Sequence, residues 1–246
     1  MADLNQDLYM VYFKAFEVVI YALCAITIYR KNPKYILNRT YFIALLGWTL
    51  YMLMDAILFP LGHFETVFLT TPDGKLLPLT SNILRDIAVI GGGIIAFGFV
   101  YASIIIRYGE ATAKERKTLL LVLGGYLGLV IPTIIFDRIV KKEVAGVIKI
   151  GTDYNIGSII MIAVQLCIYF FAIYELVAIY LKIDEPKEKK RVLFFILGCT
   201  FIALGVIYFI IVGLLFRQYA FITGPIGHAI WTIAPIFIYI GIKRPK

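Results

Sequence analysis

Seven long apolar stretches constrain the fold of this chain more than any other feature. They cover residues about 8–29, 40–61, 82–106, 118–136, 157–181, 192–216 and 221–242. Each is long enough to cross a bilayer core, which needs about 20 apolar residues per helix. The runs are continuously apolar, whereas the strands of a membrane β-barrel alternate over about ten residues. We therefore predict an all-α, polytopic membrane protein that forms a single seven-helix transmembrane domain over 1–246.

The composition excludes a soluble protein and argues against nucleic-acid binding. Apolar residues make up 61% of the chain, above the ~45–50% that is usual for soluble domains. The net charge is +8, but the Lys and Arg residues form short clusters between apolar runs, as in the cytoplasmic loops of membrane proteins. Cys24, Cys167 and Cys199 lie inside apolar runs and are interpreted as small apolar side chains.

The distribution of positive charge predicts the orientation. Of the 24 Lys and Arg residues, 16 fall on the side that holds the C-terminus and 8 on the other side. Because cytoplasmic loops are enriched in Lys and Arg, we expect the N-terminus outside the cell membrane and the C-terminus in the cytoplasm. The loop 137–156 argues against this orientation, because it lies on the predicted outer side of the membrane and contains Arg138, Lys141, Lys142 and Lys149.

The two longest connections, 62–81 and 137–156, both lie on the predicted outer side. They contain turn formers such as Thr71-Pro72-Asp73-Gly74. We expect them to act as lids over the helix bundle.

Small residues recur at helix-packing spacing in two spans. Gly92 precedes Ala96 in the third span, and Gly124 precedes Gly128 in the fourth. Such pairs allow two helix backbones to approach closely. Packing within the bundle is the favoured interpretation, and a homodimer is the alternative.

Ionisable residues at membrane depth are the main candidates for function, because placing them there costs roughly 2.5–3.5 kcal/mol each. Glu17, Asp55 and His228 share the outer half, from spans one, two and seven, and Arg85 enters at the top of span three. Arg85 is placed to neutralise Asp55 or Glu17, and Lys14 is an alternative partner for Glu17 along the same helix.

Aromatic residues at similar depth complete a mixed, outward-facing cavity. The predicted ligand-binding residues are Glu17, Asp55, Arg85, Asp86, His228, Trp48, Tyr51 and Trp231. The alternative is a set of interhelical hydrogen bonds and ion pairs that only fixes the bundle. Glu175, in the inner third of span five, is interpreted as a structural partner of the inner basic residues.

Enzyme chemistry is not expected, and no cofactor is predicted. The two histidines, His63 and His228, cannot build a three-ligand zinc site without suitably placed carboxylates. The seventh span has no lysine for a retinal Schiff base.

Three segments together resemble the N-terminal seven-transmembrane sensor region of prokaryotic histidine kinases and diguanylate cyclases. The first runs from Tyr29-Arg30-Lys31 through Asn38-Arg39-Thr40 to Gly47-Trp48, and the second from Lys189-Lys190-Arg191 to Gly198. The third is the closing span, which is entered through Thr223-Gly224-Pro225 and left through Ile242-Lys243-Arg244.

The resemblance implies a sensor whose outer or intramembrane face receives a stimulus and whose seventh helix relays it to a cytoplasmic output. The 246 residues contain no kinase or cyclase, so we expect the signal to pass to a separate cytoplasmic partner, or the chain to be a fragment.

Three functions remain open at this point. A receptor-like sensor of a small molecule or lipid is favoured. A small-solute or proton-coupled transporter would use the same buried carboxylates. A structural subunit of a membrane complex would need only the small-residue stripes and contacts with membrane lipids.

Overall fold

The computed structural model describes residues 2–71, 73–144, 147–153, 155–215 and 220–242. It contains seven helices that are long and apolar enough to cross a membrane. They are α1 (Ala2–Lys31), α2 (Ile36–Phe64), α3 (Leu79–Ala113), α4 (Arg116–Phe136), α5 (Ile156–Tyr180), α6 (Pro186–Leu215) and α7 (Ala220–Ile242). The chain is therefore an all-α, seven-helix, multi-pass membrane protein, as predicted.

Local sequence signals set several helix ends. Asn155 caps α5: its side chain accepts a hydrogen bond from the Ser158 backbone N–H at 2.9 Å, and the Ser158 hydroxyl accepts one from the Asn155 backbone N–H at 3.0 Å. This reciprocal arrangement satisfies two backbone donors at the start of a helix. In α3, Gly109 breaks the helical geometry with φ +86°, a conformation that glycine adopts without a steric penalty.

Glu65 caps α3 from outside that helix. Its carboxylate accepts hydrogen bonds from the backbone N–H of Thr80 and, at 3.1 Å, from that of Ser81. Free N–H groups and the helix dipole both favour a negative charge at this position. The end of α2 is thereby tied to the start of α3.

The two long connections form a small antiparallel sheet, which the sequence analysis did not predict. Its strands are β1 (Phe68–Thr70), β2 (Leu76–Pro78), β3 (Ile139–Val144) and β4 (Val147–Thr152), in the order β1-β2-β3-β4. The pairing of Leu76 with Lys141 joins the two connections. We call this end of the bundle the sheet end, and the other end the opposite end.

Glycines bring α2 and α3 into close contact. A Cβ atom at Gly91 would lie only 2.5 Å from the Gly47 carbonyl oxygen, and one at Gly47 would lie 2.7 Å from the Ile94 side chain. Both positions therefore need glycine for this helix pair to approach so closely.

The small-residue pairs differ in how they pack. Ala96 is fully buried, and a Cβ at Gly92 would meet only the Tyr51 ring at 3.4 Å, so this pair packs within the bundle. Gly124 and Gly128 are exposed, with no described atom within 4 Å of an added Cβ. Bundle packing was the wrong interpretation for the α4 pair.

The helices alternate between the two ends as the orientation model requires, but which end faces the cytoplasm stays a prediction. Several predicted features lie outside the described residues, namely Pro72 of the predicted turn, the end of the sixth span at 216, Arg217, Lys243, Arg244 and Lys246.

Candidate functional site

A buried carboxylate joins three helices in the sheet-end half of the bundle. Glu17 of α1 is fully buried; its Oε1 accepts a hydrogen bond from Trp48 Nε1 at 2.6 Å, and its Oε2 lies 2.7 Å from His228 Nδ1. Trp48 belongs to α2 and His228 to α7. The predicted contact between polar groups of different helices is therefore present here.

A second polar group lies closer to the sheet. Lys14 Nζ is 2.7 Å from Asp55 Oδ2, and Arg85 Nη1 is 3.4 Å from Asp55 Oδ1. The guanidinium of Arg85 also donates to Asp137 Oδ2, through Nε at 3.0 Å and through Nη2. Two cations and two carboxylates thus form one chain from α1 through α2 and α3 to the end of α4.

The observed pairing selects between the predicted alternatives. Arg85 neutralises Asp55, as expected. Lys14 also pairs with Asp55, so its predicted pairing with Glu17 along α1 was wrong. The reason is geometric, because Glu17 points into the helix bundle and is occupied by His228 and Trp48.

Asp86 forms a separate pair near the same end. Its Oδ1 lies 3.1 Å from Arg138 Nη1, and both side chains are partly exposed. Arg138 belongs to the connection 137–156, whose positive charges had counted against the predicted orientation. Asp86 offsets one of these charges.

Aromatic rings separate the buried carboxylate from an open space. The Trp48 and Trp231 rings meet edge to face with centroids 4.9 Å apart, and Phe209 packs on Trp231 at 4.5 Å. Tyr51 packs on Trp48 at 4.9 Å and lies under the Arg85 guanidinium, whose Cζ is 5.9 Å from the ring centroid. These rings form one wall of the candidate site.

The open space is a cavity of about 360 Å³ in the sheet-end half, toward the lower end of the range for small-molecule pockets, about 300–1,000 Å³. Its wall is mostly apolar, with polar side chains concentrated toward the sheet. Lining residues come from α2 to α7, the end of β4 and the α4–β3 connection. They include Trp48, Tyr51, Arg85, Val130, Thr133, Asp137, Thr152, Ser158, Ile159, Ala163, Gln165, Phe209, Gly213 and Trp231.

The sequence folds locally so that Asp137 is held in this wall. The Asn82 side chain of α3 donates to the Ile139 carbonyl at 2.9 Å and accepts from the Ile139 N–H at 3.0 Å. The Asp137 N–H continues α4 by donating to the Thr133 carbonyl at 2.8 Å. The segment after α4 is therefore fixed from both sides, and Asp137 is 8% exposed.

The predicted residues divide into two groups around this cavity. Trp48, Tyr51, Arg85 and Trp231 line it. The other four do not line it, namely Glu17, Asp55, Asp86 and His228. Of these, Glu17, Asp55 and His228 are buried behind the lining residues. Ligand binding by any of the eight stays a prediction.

Sequence reasoning missed Asp137 and Phe209 as members of the wall. Asp137 follows the fourth apolar stretch directly. The available signal was this position, because it has a depth in the membrane similar to that of Arg85. Phe209 gave none, because it is one of many aromatic residues in an apolar run.

The opposite end holds a different pair. Arg107 Nη1 contacts Glu175 Oε2, which agrees with the structural role predicted for Glu175. A second cavity, of about 400 Å³, opens beside this pair. It is lined by Ile106, Arg107, Tyr108, Ala178, Ile179, Lys182 and Ile183.

Between the two ends lies a layer of aromatic side chains. Tyr41 stacks on Phe195 at 5.1 Å and packs near Phe99, which in turn packs near Tyr169 at 6.4 Å. Phe99 lies about 21 Å beyond Arg85 along α3, at ~1.5 Å per residue. The layer therefore separates the polar groups of the sheet end from the Arg107–Glu175 pair.

Among the described residues, no group of three or more His, Cys, Asp or Glu side chains is arranged to hold a metal ion. Neither a protein-family model nor a curated protein matches this chain. The resemblance to histidine kinase sensor regions therefore stays a prediction.

Proposed function

We propose that this protein is a receptor-like membrane sensor that binds a small ligand in the sheet-end cavity and relays the binding event to a cytoplasmic partner. The single observation that carries the proposal is the cavity wall. It combines a largely apolar, aromatic surface with a few polar groups at one end, which is the usual composition of a small-molecule site.

The wall is linked directly to a hydrogen-bond network between helices. A ligand in the cavity contacts Trp48, whose Nε1 is bonded to Glu17, and Glu17 in turn contacts His228 of α7. Tyr21 of α1 also donates to the Trp231 carbonyl at 2.9 Å. A change in the position of either tryptophan therefore acts on the contact between α1 and α7.

The seventh helix offers a route to the opposite end. From His228 it continues to Ile242, where Arg191 of α6 donates to the Gly241 carbonyl at 3.2 Å. A signal requires that the ligand bind two arrangements of these helices with different affinities. A shift of α7 would then reach the basic segments that we predict to face the cytoplasm and a signalling partner. This route agrees with the role of the seventh helix implied by the resemblance to kinase sensor regions.

A transporter is the second candidate, and the buried carboxylates at both ends favour it. Proton-coupled transport needs carboxylates that are reachable in turn from both faces. Asp55 and Glu175 have suitable depths, but both are paired with arginine and lie on opposite sides of the aromatic layer. The sensor therefore explains the arrangement better.

Reconstitution into liposomes separates the two candidates. Proton entry would be followed with an internal pH-sensitive dye under an imposed Na⁺ gradient and with an external amino-acid mixture. We expect uptake at the level of empty liposomes for the wild type, Asp55→Asn and Glu175→Gln. Solute-driven uptake by the wild type that disappears in both variants would contradict the sensor proposal.

A further inference from the structure

One atom in the cavity wall lacks the hydrogen bond that its burial demands. The Asp137 side chain is 12% exposed, and its Oδ1 atom is buried. Its Oδ2 accepts from Arg85, but among the described residues its Oδ1 has no hydrogen-bond partner. Buried polar atoms nearly always have a partner, because leaving one unpaired costs ~1–3 kcal/mol. Asp137 is one of the residues that line the cavity, so a molecule bound there, together with a small rotation of the carboxylate, can supply the missing donor.

The charges around this atom indicate what kind of donor fits. Arg85 and Lys14 carry two positive charges, and Asp55 and Asp137 carry two negative charges in the same connected group. Adding a cation or an anion would leave one buried charge uncompensated, which is strongly unfavourable. A neutral hydroxyl or amide N–H satisfies Oδ1 without changing this balance.

The rest of the cavity indicates the body of the ligand and its route of entry. The wall away from Asp137 is formed largely by apolar and aromatic side chains. Ile159 and Ala163 of α5 and Gly213 of α6 belong to this wall and are exposed. In a membrane-spanning bundle, exposed faces of apolar helices meet lipid, and these exposed residues also line the cavity. The cavity is therefore open to molecules dissolved in the bilayer.

We infer that the ligand is a neutral, lipid-soluble amphiphile, whose hydroxyl or amide N–H donates to Asp137 Oδ1 and whose apolar body packs against Trp48 and Trp231. This inference rests on the proposed function and adds the chemical class of the ligand. A molecule held this way contacts the sheet-end ion pairs through Asp137 and the α1–α7 network through the tryptophans.

The two tryptophans provide a direct test, because they are the only ones in the chain and both line the cavity. The protein in nanodiscs would be titrated with 12-bromododecan-1-ol, a bromine-containing quencher of tryptophan fluorescence. The matched probe is 1-bromo-12-methoxydodecane, which has the same chain and an ether oxygen but no donor. Unlabelled dodecan-1-ol would compete, so that site binding is separated from quenching by probe dissolved in lipid.

We expect saturable quenching by the alcohol, reversed by dodecan-1-ol, with at least ~tenfold tighter binding than the ether, equivalent to ~1.4 kcal/mol. In Asp137→Asn, the amide oxygen can take the place of Oδ2 and accept from Arg85. The amide N–H₂ then takes the position of Oδ1, so that a donor replaces the unpaired acceptor. The preference for the alcohol should fall below threefold. Asp153→Asn is the matched control: it removes a carboxylate at the same end that pairs with Lys75 at 2.7 Å and lies outside the cavity wall, so the preference should remain.

Equal affinity for alcohol and ether in the wild type overturns the inference, and this comparison needs no variant. So does tighter binding of 12-bromododecylammonium than of the alcohol, which would identify a cationic ligand. Unsaturable quenching by all probes, with no effect of dodecan-1-ol, would also overturn the inference, because it shows no specific site for the amphiphile. None of these results bears on solute-driven proton uptake, so the proposed function stands or falls separately.

Discussion

The buried contact of Glu17 allows a quantitative prediction. Its carboxylate is fully buried and makes two short polar contacts, to Trp48 and to His228. Replacing Glu17 by Ala removes both. Side-chain hydrogen bonds between membrane helices contribute on average ~0.6 and at most ~1.7 kcal/mol each, so their loss costs about 1–3 kcal/mol. The space left by the missing side chain adds roughly another 1 kcal/mol. We therefore expect the free energy of unfolding to fall by about 2–4 kcal/mol.

Glu17→Gln separates the hydrogen bonds from the charge. The amide oxygen can still accept from Trp48 Nε1, and the amide N–H₂ can donate to His228 Nδ1 when that nitrogen carries no proton. The volume is unchanged, so the loss should stay below ~1 kcal/mol. The control is Phe16→Ala, one residue earlier on the same helix and 59% exposed, for which a change within about 0.5 kcal/mol is expected.

Equilibrium unfolding by SDS in mixed micelles, followed by far-ultraviolet circular dichroism, measures these differences. A double-mutant cycle between Glu17→Ala and His228→Ala should give a coupling energy above ~0.5 kcal/mol. If Glu17→Ala and Glu17→Gln are equally stable, or if both match the Phe16→Ala control, then the network does not stabilise the bundle and the reasoning is wrong.

Three further predictions concern the sheet end, the helix contacts and the orientation. Burial raises the pKa of Glu65, but hydrogen bonds from Thr80 and Ser81 in α3 outweigh this effect and hold the pKa below its ordinary value of 4.5. Glu65→Gln should therefore lower stability by ~1 kcal/mol at pH 7, and the difference should shrink as the pH falls through 4.5 toward the lowered pKa. Gly91→Ala should cost ~1–3 kcal/mol in the SDS assay because of the backbone contact with α2, whereas Gly124→Ala should be neutral or slightly stabilising. In intact cells, a cysteine at Thr71 should react with an impermeant thiol reagent and one at Glu188 should not; the reverse pattern would invert the orientation.

Much of the fold could be predicted because bilayer thickness dictates the length of each apolar stretch. All seven predicted spans correspond to observed helices. The sheet could not be predicted from hydropathy, since its strands have three to six residues. The available signal was the run of β-branched residues on either side of Ala145-Gly146, which is typical of a hairpin.

The candidate site was predictable in part. Depth along each helix correctly brought Asp55 and Arg85 together, because antiparallel helices of known rise fix which residues share a level. The depth of a residue does not tell which way its side chain points around the helix axis. Lys14 was therefore assigned to Glu17, whereas it pairs with Asp55. The same limit explains why Glu17 and His228 pair behind the cavity wall and not in it.

The proposed sensor requires that occupancy of the cavity change the opposite end of the bundle. A tethered occupant tests this requirement without knowledge of the natural ligand. In a background with the native cysteines replaced, a cysteine at Ala163, which lines the cavity, would be modified with benzyl methanethiosulfonate. The same adduct at Val164, which is exposed and outside the cavity wall, is the control. The background replaces Cys24, Cys167 and Cys199.

Hydrogen–deuterium exchange in nanodiscs would then report on residues 107–118 and 181–191, at the opposite end. We expect altered exchange in these segments for the adduct at position 163 and no change for the adduct at position 164. Identical exchange in both segments for the two adducts, with the cavity adduct fully formed, would contradict a sensor that relays occupancy of this cavity.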